Sequence, residues 1–266
     1  MNRIDQRFAE LKAAGRTGLI PFITAGDPAP EATVPVMHAL VRAGADVIEL
    51  GMPFSEPMAD GPVIQHANER ALARGVGLSD VLEMVRAFRA NDATTPVLLM
   101  GYLNPVEIRG YARFAAEAVA AGVDGTLIVD CPVEEGDTLM PLREAGLRQI
   151  LLAAPTTAPG RMARLCEAAE GFLYYVSFAG ITGAARLSVD DIAERVSQIR
   201  AAAKAPVAVG FGVRDAASAK AIGAFADAVV IGSALVDTLD GAASADEAAT
   251  RAHDFLAPVR QALDAG

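Results

Sequence analysis

Residues 42–50 read RAGADVIEL, and the same order of events returns as AAGVDGTLIV at 120–129 and, more loosely, as GAFADAVVIG at 223–232. In the first two stretches a helical pattern stops at a glycine, Gly44 or Gly122, a residue that enters the left-handed region at little cost. An aspartate follows, and then a short run of aliphatic residues. Such runs recur at 18–24, 47–50, 97–101, 125–129, 149–153, 172–176, 207–210 and 228–231. They lack the polar alternation of a half-exposed antiparallel strand, so they read as parallel strands buried on both faces. Between them apolar residues fall at helical spacing, as in Val81, Met84, Val85 and Phe88. The longest interval, between the second and third runs, predicts two helices, 62–74 and 79–91, with Ser79 as the N-cap of the second.

Eight βα units close as a barrel or lie open as a doubly wound sheet. An open dinucleotide-binding sheet carries GxGxxG after its first strand, whereas the first run here continues into TAGDPAP. The expected architecture is therefore an α/β fold, a (β/α)8 TIM barrel forming one catalytic domain over 1–266. Extra helices stand in the βα connections, and an amphipathic helix built on Ile4, Phe8 and Leu11 precedes the first strand. The 266 residues, 52% of them hydrophobic, supply a sizeable core. No secretion signal or long apolar span appears, which predicts a cytoplasmic protein without a membrane anchor. A net charge of −10 argues against nucleic acid and anionic membranes as partners. Three scattered histidines and two cysteines without CxxC spacing predict no metal site.

Chemistry in such barrels gathers at the carboxyl ends of the strands. Glu49 stands there between Ile48 and Leu50, where an ionised group must find a partner or shift its pKa. It is either a buried carboxylate satisfied by an arginine or backbone donors, or a general acid/base. Asp60, in MADGP, is either turn chemistry ahead of Pro62 or a second carboxylate overhanging the same pocket. GFG at 210–212 and IGSA at 231–234 follow the seventh and eighth runs, the positions at which this architecture commonly binds phosphate. AGITGAA at 179–185 has the composition of a connector or of a mobile lid.

The segment ELGMPFSEPMADGPVIQ at 49–65 resembles the signature of the tryptophan synthase α subunit family, and the resemblance extends through FITAGDP at 22–28, GYLNP at 101–105, DCPVEE at 130–135, APTT at 154–157 and YYVSFAGITG at 174–183. It implies a lyase that cleaves indole-3-glycerol phosphate into indole and glyceraldehyde 3-phosphate by a retro-aldol step. Glu49, Asp60 and Tyr174 would be catalytic, with Tyr174 preferred to Tyr175. Phe22, Tyr102 and Leu127 would line the indole pocket, Gly183, Gly212, Gly232 and Ser233 would take the phosphate, and Thr182 would close over Asp60. The resemblance further implies no cofactor in this subunit, pyridoxal phosphate in a β-subunit partner, and an α2β2 complex. Glu56 stands where the family commonly has aspartate, and Cys131 where an aliphatic residue is usual. A stand-alone lyase that releases indole to solvent, and a barrel kept only to bind a partner, are the rival expectations.

Overall fold

The computed structural model describes residues 1–176, 189–210 and 212–265. The strands are β1 (Gly18–Thr24), β2 (Ile48–Gly51), β3 (Val97–Gly101), β4 (Gly125–Ile128), β5 (Arg148–Gln149), β6 (Leu151–Ala153), β7 (Leu173–Val176), β8 (Val207–Gly210) and β9 (Ala228–Ile231). They pair in parallel in the order β5-β4-β3-β2-β1-β9-β8-β7-β6, and the chain itself closes the ring where β5 runs into β6. The expected fifth strand is thus two pieces broken at Ile150. β5 pairs with β4 through Gly125 and Thr126 only, whereas β6 pairs with β7. Ile150 still donates its N–H to the Thr126 carbonyl at 2.9 Å, and beyond it, among the described residues, no ladder ties β6 to β4.

Period-two alternation sorts the wall residues. Ile20, Leu98, Leu127, Phe172, Ala208 and Val230 face inward and pack with Ile4, Phe8 and Leu11. Those last three lie on the helix Arg3–Ala14, which plugs the lower end of the barrel; Phe8 and Phe172 have ring centroids 5.5 Å apart. Leu19, Ile23, Leu50, Leu99, Val209 and Val229 face outward beneath the surrounding helices.

The aspartate that opens each of the three repeats' strands has one structural job. Asp46, Asp124 and Asp227 each donate a backbone N–H to a carbonyl at the start of the preceding strand: Leu19 at 2.8 Å, Val97 at 2.9 Å and Val207 at 3.0 Å. Each carboxylate in turn accepts the N–H of that same residue, at 2.9, 2.8 and 2.8 Å. An arginine then meets each aspartate: Arg260, Arg89 and Arg200. Gly44 (φ +100) and Gly122 (φ +92) are required twice over, because a Cβ there would also strike the Arg260 and Arg89 side chains at 2.5 and 2.8 Å. The repeat staples neighbouring strands at the lower rim, away from the end where the chemistry is expected.

The two helices after β2 are Pro62–Ala73 and Leu78–Arg89. Ser79 is not the N-cap. Gly77 is, because the Asp80 carboxylate accepts its N–H at 2.9 Å and so starts the helix earlier. Among the described residues no helix is long and apolar enough to cross a membrane.

Candidate active site

Glu49 lies on β2 in register with Phe22 of β1 and Leu98 of β3. Alternation therefore turns it into the barrel interior, and it is 1% exposed. Neither an arginine nor a backbone donor satisfies it: Oε1 is buried without a hydrogen-bond partner among the described residues. Burial first, and the negative charge of Asp60 second, push its pKa up to about 8. The first reading, a buried carboxylate satisfied by an arginine or by backbone donors, thus finds no partner for Oε1 among the described residues.

Asp60 sits half-buried in the loop between β2 and the helix Pro62–Ala73. That helix holds it from behind: Asn68 Nδ2 lies 3.5 Å from Asp60 Oδ2, and Gln65 Nε2 donates to the Asp60 carbonyl at 2.8 Å. The helix is itself fixed to the loop after β1 by the paired hydrogen bonds of Arg70 to buried Asp27, at 2.7 and 3.0 Å. Burial raises the Asp60 pKa to about 6, against the opposing pull of hydrogen bonds from Tyr102 and Asn68.

Tyr102 follows β3 and anchors this loop. Its ring stacks on Phe54 with centroids 4.9 Å apart, and its hydroxyl accepts the Ala59 N–H at 3.0 Å. Tyr102, Phe22 and Leu127 are all closed off, at 2%, 4% and 1% exposure. The apolar side chains left partly open on the inner face are Met100, Val129, Leu152 and Tyr174. The sequence reading missed the first three, because an aliphatic residue at a strand end looks like any other core residue. Their one available signal was alternation with Leu98, Leu127 and Ile150.

Tyr174 points inward and Tyr175 outward, into the layer beneath the helices. Burial and the nearby Glu49 raise the Tyr174 pKa well above the phenol's ordinary value, so the hydroxyl keeps its proton. Its ring occupies the space over Gly210, where a Cβ would meet Tyr174 Cζ at 2.9 Å. Gly212 follows with φ +48 and open space around it. Gly232 has φ −124 and leads into the short helix Ser233–Leu239; a Cβ on it would make only ordinary contact, 3.5 Å from Phe22 Cβ. The fold therefore demands glycine at 210 and 212 but not at 232. Thr182, Gly183 and the stretch 179–185 lie outside the described residues. Among the described residues no three His, Cys, Asp or Glu side chains cluster to hold a metal.

Two carboxylates with separated pKa values, a neutral phenol, an apolar wall and a glycine-lined rim form a site for proton transfer on a largely apolar ligand with an anionic end. A family model described as tryptophan synthase alpha chain matches residues 8–264. The tryptophan synthase alpha chain of Xylella fastidiosa strain 9a5c is 62% identical over 266 residues, covering 100% of this chain and 99% of the relative. That of Xanthomonas axonopodis pv. citri strain 306 is 63% identical and covers both chains completely. The crystal structure of tryptophan synthase subunit alpha from Legionella pneumophila str. Paris superposes with a TM-score of 0.93 at 47% identity, covering 100% of both chains. Tryptophan synthase from M. tuberculosis, in an open form with BRD0059 bound, gives 0.86 at 35% identity over 99% of each chain.

Proposed function

The chain belongs to the tryptophan synthase alpha chain family, a lyase family that cleaves indole-3-glycerol phosphate in tryptophan biosynthesis, and from that premise we propose which of its groups carries each step. Glu49 and Asp60 are the proton-transfer pair. Near neutral pH Glu49 keeps its proton and Asp60 has lost its own. Glu49 protonates indole C3 while Asp60 takes the N1 proton, which gives the indolenine tautomer. The Glu49 carboxylate then removes the proton of the glycerol hydroxyl adjacent to C3. The C3–C bond breaks, the new carbonyl leaves as glyceraldehyde 3-phosphate, and Asp60 returns its proton to nitrogen as the ring regains aromaticity. Atoms and charges balance over the cycle. Tyr174, neutral throughout, donates its hydroxyl hydrogen bond beside Glu49.

Met100, Val129 and Leu152, with the closed-off Phe22, Tyr102 and Leu127 behind, make the indole wall. Gly212, Gly232 and Ser233 bind the phosphate through backbone N–H groups, together with Gly183, and Thr182 closes over Asp60. In support, Ser233 and Ala234 stand in the first turn of the helix Ser233–Leu239, where backbone N–H groups lack an intrahelical acceptor. The chain needs no cofactor of its own. It works in the cytoplasm in an α2β2 complex with a β subunit that carries pyridoxal phosphate. A groove of about 490 Å³ beside Pro53, Phe54, Asn104 and Ile108, with Met58 and Ile108 exposed at 78% and 79%, suits an apolar partner on the loop that carries Asp60.

The observation that carries this reading is buried Glu49, whose Oε1 has no hydrogen-bond partner among the described residues, beside Asp60. Its test is indole release from indole-3-glycerol phosphate, measured with and without a β subunit. Wild type is slow alone and accelerated by the partner, whereas Glu49→Gln loses ~10²–10⁴-fold in both settings. Near-normal release by folded Glu49→Gln refutes the assignment.

A further inference from the structure

The face that the helix Pro62–Ala73 buries consists of Ala67, Ala71 and, between them, Asn68, which is 4% exposed. An amide withdrawn from water needs a partner at each of its ends. Asn68 finds both on one loop. Its Oδ1 accepts the Phe54 N–H at 3.3 Å, and its Nδ2 donates to Asp60 Oδ2 at 3.5 Å. The amide fits one way round, because turning it over would set donor against donor at Phe54 and acceptor against acceptor at Asp60. Other groups hold the backbone of this loop. The Tyr102 hydroxyl accepts the Ala59 N–H, Gln65 donates to the Asp60 carbonyl, and the Asp60 N–H reaches the Pro57 carbonyl at 3.0 Å. A carboxylate fixed through its backbone alone still turns about its side-chain torsions. Among the described residues, the side chains that reach the carboxylate itself are Tyr102 and Asn68.

We propose that Asn68 is a positioning residue for the proton-transfer step: it clasps both ends of the β2 loop from the helix behind, aims the Asp60 carboxylate at the ring nitrogen and keeps it ionised. The inference rests on the reading of Asp60 as the group that takes the N1 proton. The choice of side chain follows from the two bonds. Leucine, of similar size, offers neither donor nor acceptor, and aspartate would bring a second carboxylate against the first. A neutral donor on a carboxylate favours its charged form, and here the Asn68 bond works against the burial that raises Asp60. Both contacts lie toward the long end of hydrogen bonding, as catalytic contacts often do before substrate draws them tight. The clasp has a firm base, since paired hydrogen bonds tie Arg70, two residues further along the helix, to buried Asp27.

The test compares Asn68→Ala with wild type in cleavage of indole-3-glycerol phosphate across pH, with Asp60→Asn alongside. Asn68→Ala lowers kcat several-fold and moves the acidic limb of the profile upward from about 6, so its deficit is larger at pH 6 than at pH 7.5. Glycerol phosphate affinity stays at the wild-type value, which also verifies the fold. A residue that merely stabilised the helix would leave the limb where it is. A second measurement needs no variant: in wild type, the NMR signals of the Asn68 side-chain amide follow the titration of Asp60, with a midpoint near 6. If Asn68→Ala keeps the wild-type limb while Asp60→Asn loses it, or if the Asn68 amide signals ignore that titration, the role of Asn68 alone is overturned. If Asp60→Asn itself retains the wild-type limb, the reading of Asp60 falls, and the inference with it.

Discussion

Glu49 and Asp60 divide their labour through pKa values of about 8 and about 6, and the working state, one protonated and one ionised, is most populated between those two pH values. The pH profile of kcat/KM is expected to be bell-shaped with limbs near them, and Asp60→Asn to lose the acidic limb along with most of the rate; a flat profile from pH 5 to 9 contradicts the pairing. The same shift has a stability consequence. Because Glu49 binds its proton more tightly folded than unfolded, the folded chain carries more protons between the ordinary value of 4.5 and about 8, and stability falls as pH rises through that window. Glu49→Gln abolishes this slope. The variant should therefore gain on wild type in urea midpoint from pH 5 to pH 8, a midpoint difference independent of pH being the contrary result. The glycines separate in the same manner. Gly212→Ala forces a Cβ into the left-handed region at a cost of roughly 1–2 kcal/mol. Gly232→Ala leaves stability nearly unchanged but weakens glycerol phosphate binding, because only the ligand, and not the fold, needs that backbone bare.

At the scale of elements, Asp46, Asp124 and Asp227 fix β2, β4 and β9 at the bottom, while β2 carries Glu49 toward the top. Asp124, 3% exposed, holds the Val97 N–H, Arg3 and Arg89 together, and Asp124→Ala strands those donors. A loss of about 3–5 kcal/mol is expected by urea unfolding, with kcat of the folded fraction close to wild type. A large kcat defect at full stability would place Asp124 in the chemistry instead. This bottom end was legible in the sequence, since Gly44-x-Asp46 and Gly122-x-Asp124 announce a helix stop followed by a strand. Glu49 was legible too, because charge inside an apolar run demands a reason. The break at Ile150 was not: 149–153 is as apolar as its neighbours, and which strand each half pairs with depends on barrel closure rather than local pattern. Met100, Val129 and Leu152 were hidden for the related reason that pocket wall and core use the same side chains. Ser79 misled because Asp80 caps Gly77 from within the first turn.

For the whole molecule, the ring is closed by pairing everywhere except between β4 and β6, so backbone amides facing that seam should exchange with deuterium well before those of β1 and β2. Uniform protection around the ring would mean that side chains alone seal the gap. The lower end is shut more firmly, by Ile4, Phe8 and Leu11 driven into the barrel from the helix Arg3–Ala14. A vessel with a blind end has no downstream: charged molecules arrive and depart by one doorway, against each other. Phosphorylated substrate and phosphorylated product are therefore rivals for a single berth, and glyceraldehyde 3-phosphate should inhibit cleavage competitively with indole-3-glycerol phosphate at every concentration. Glycerol phosphate inhibition that high indole-3-glycerol phosphate fails to relieve would contradict the shared berth.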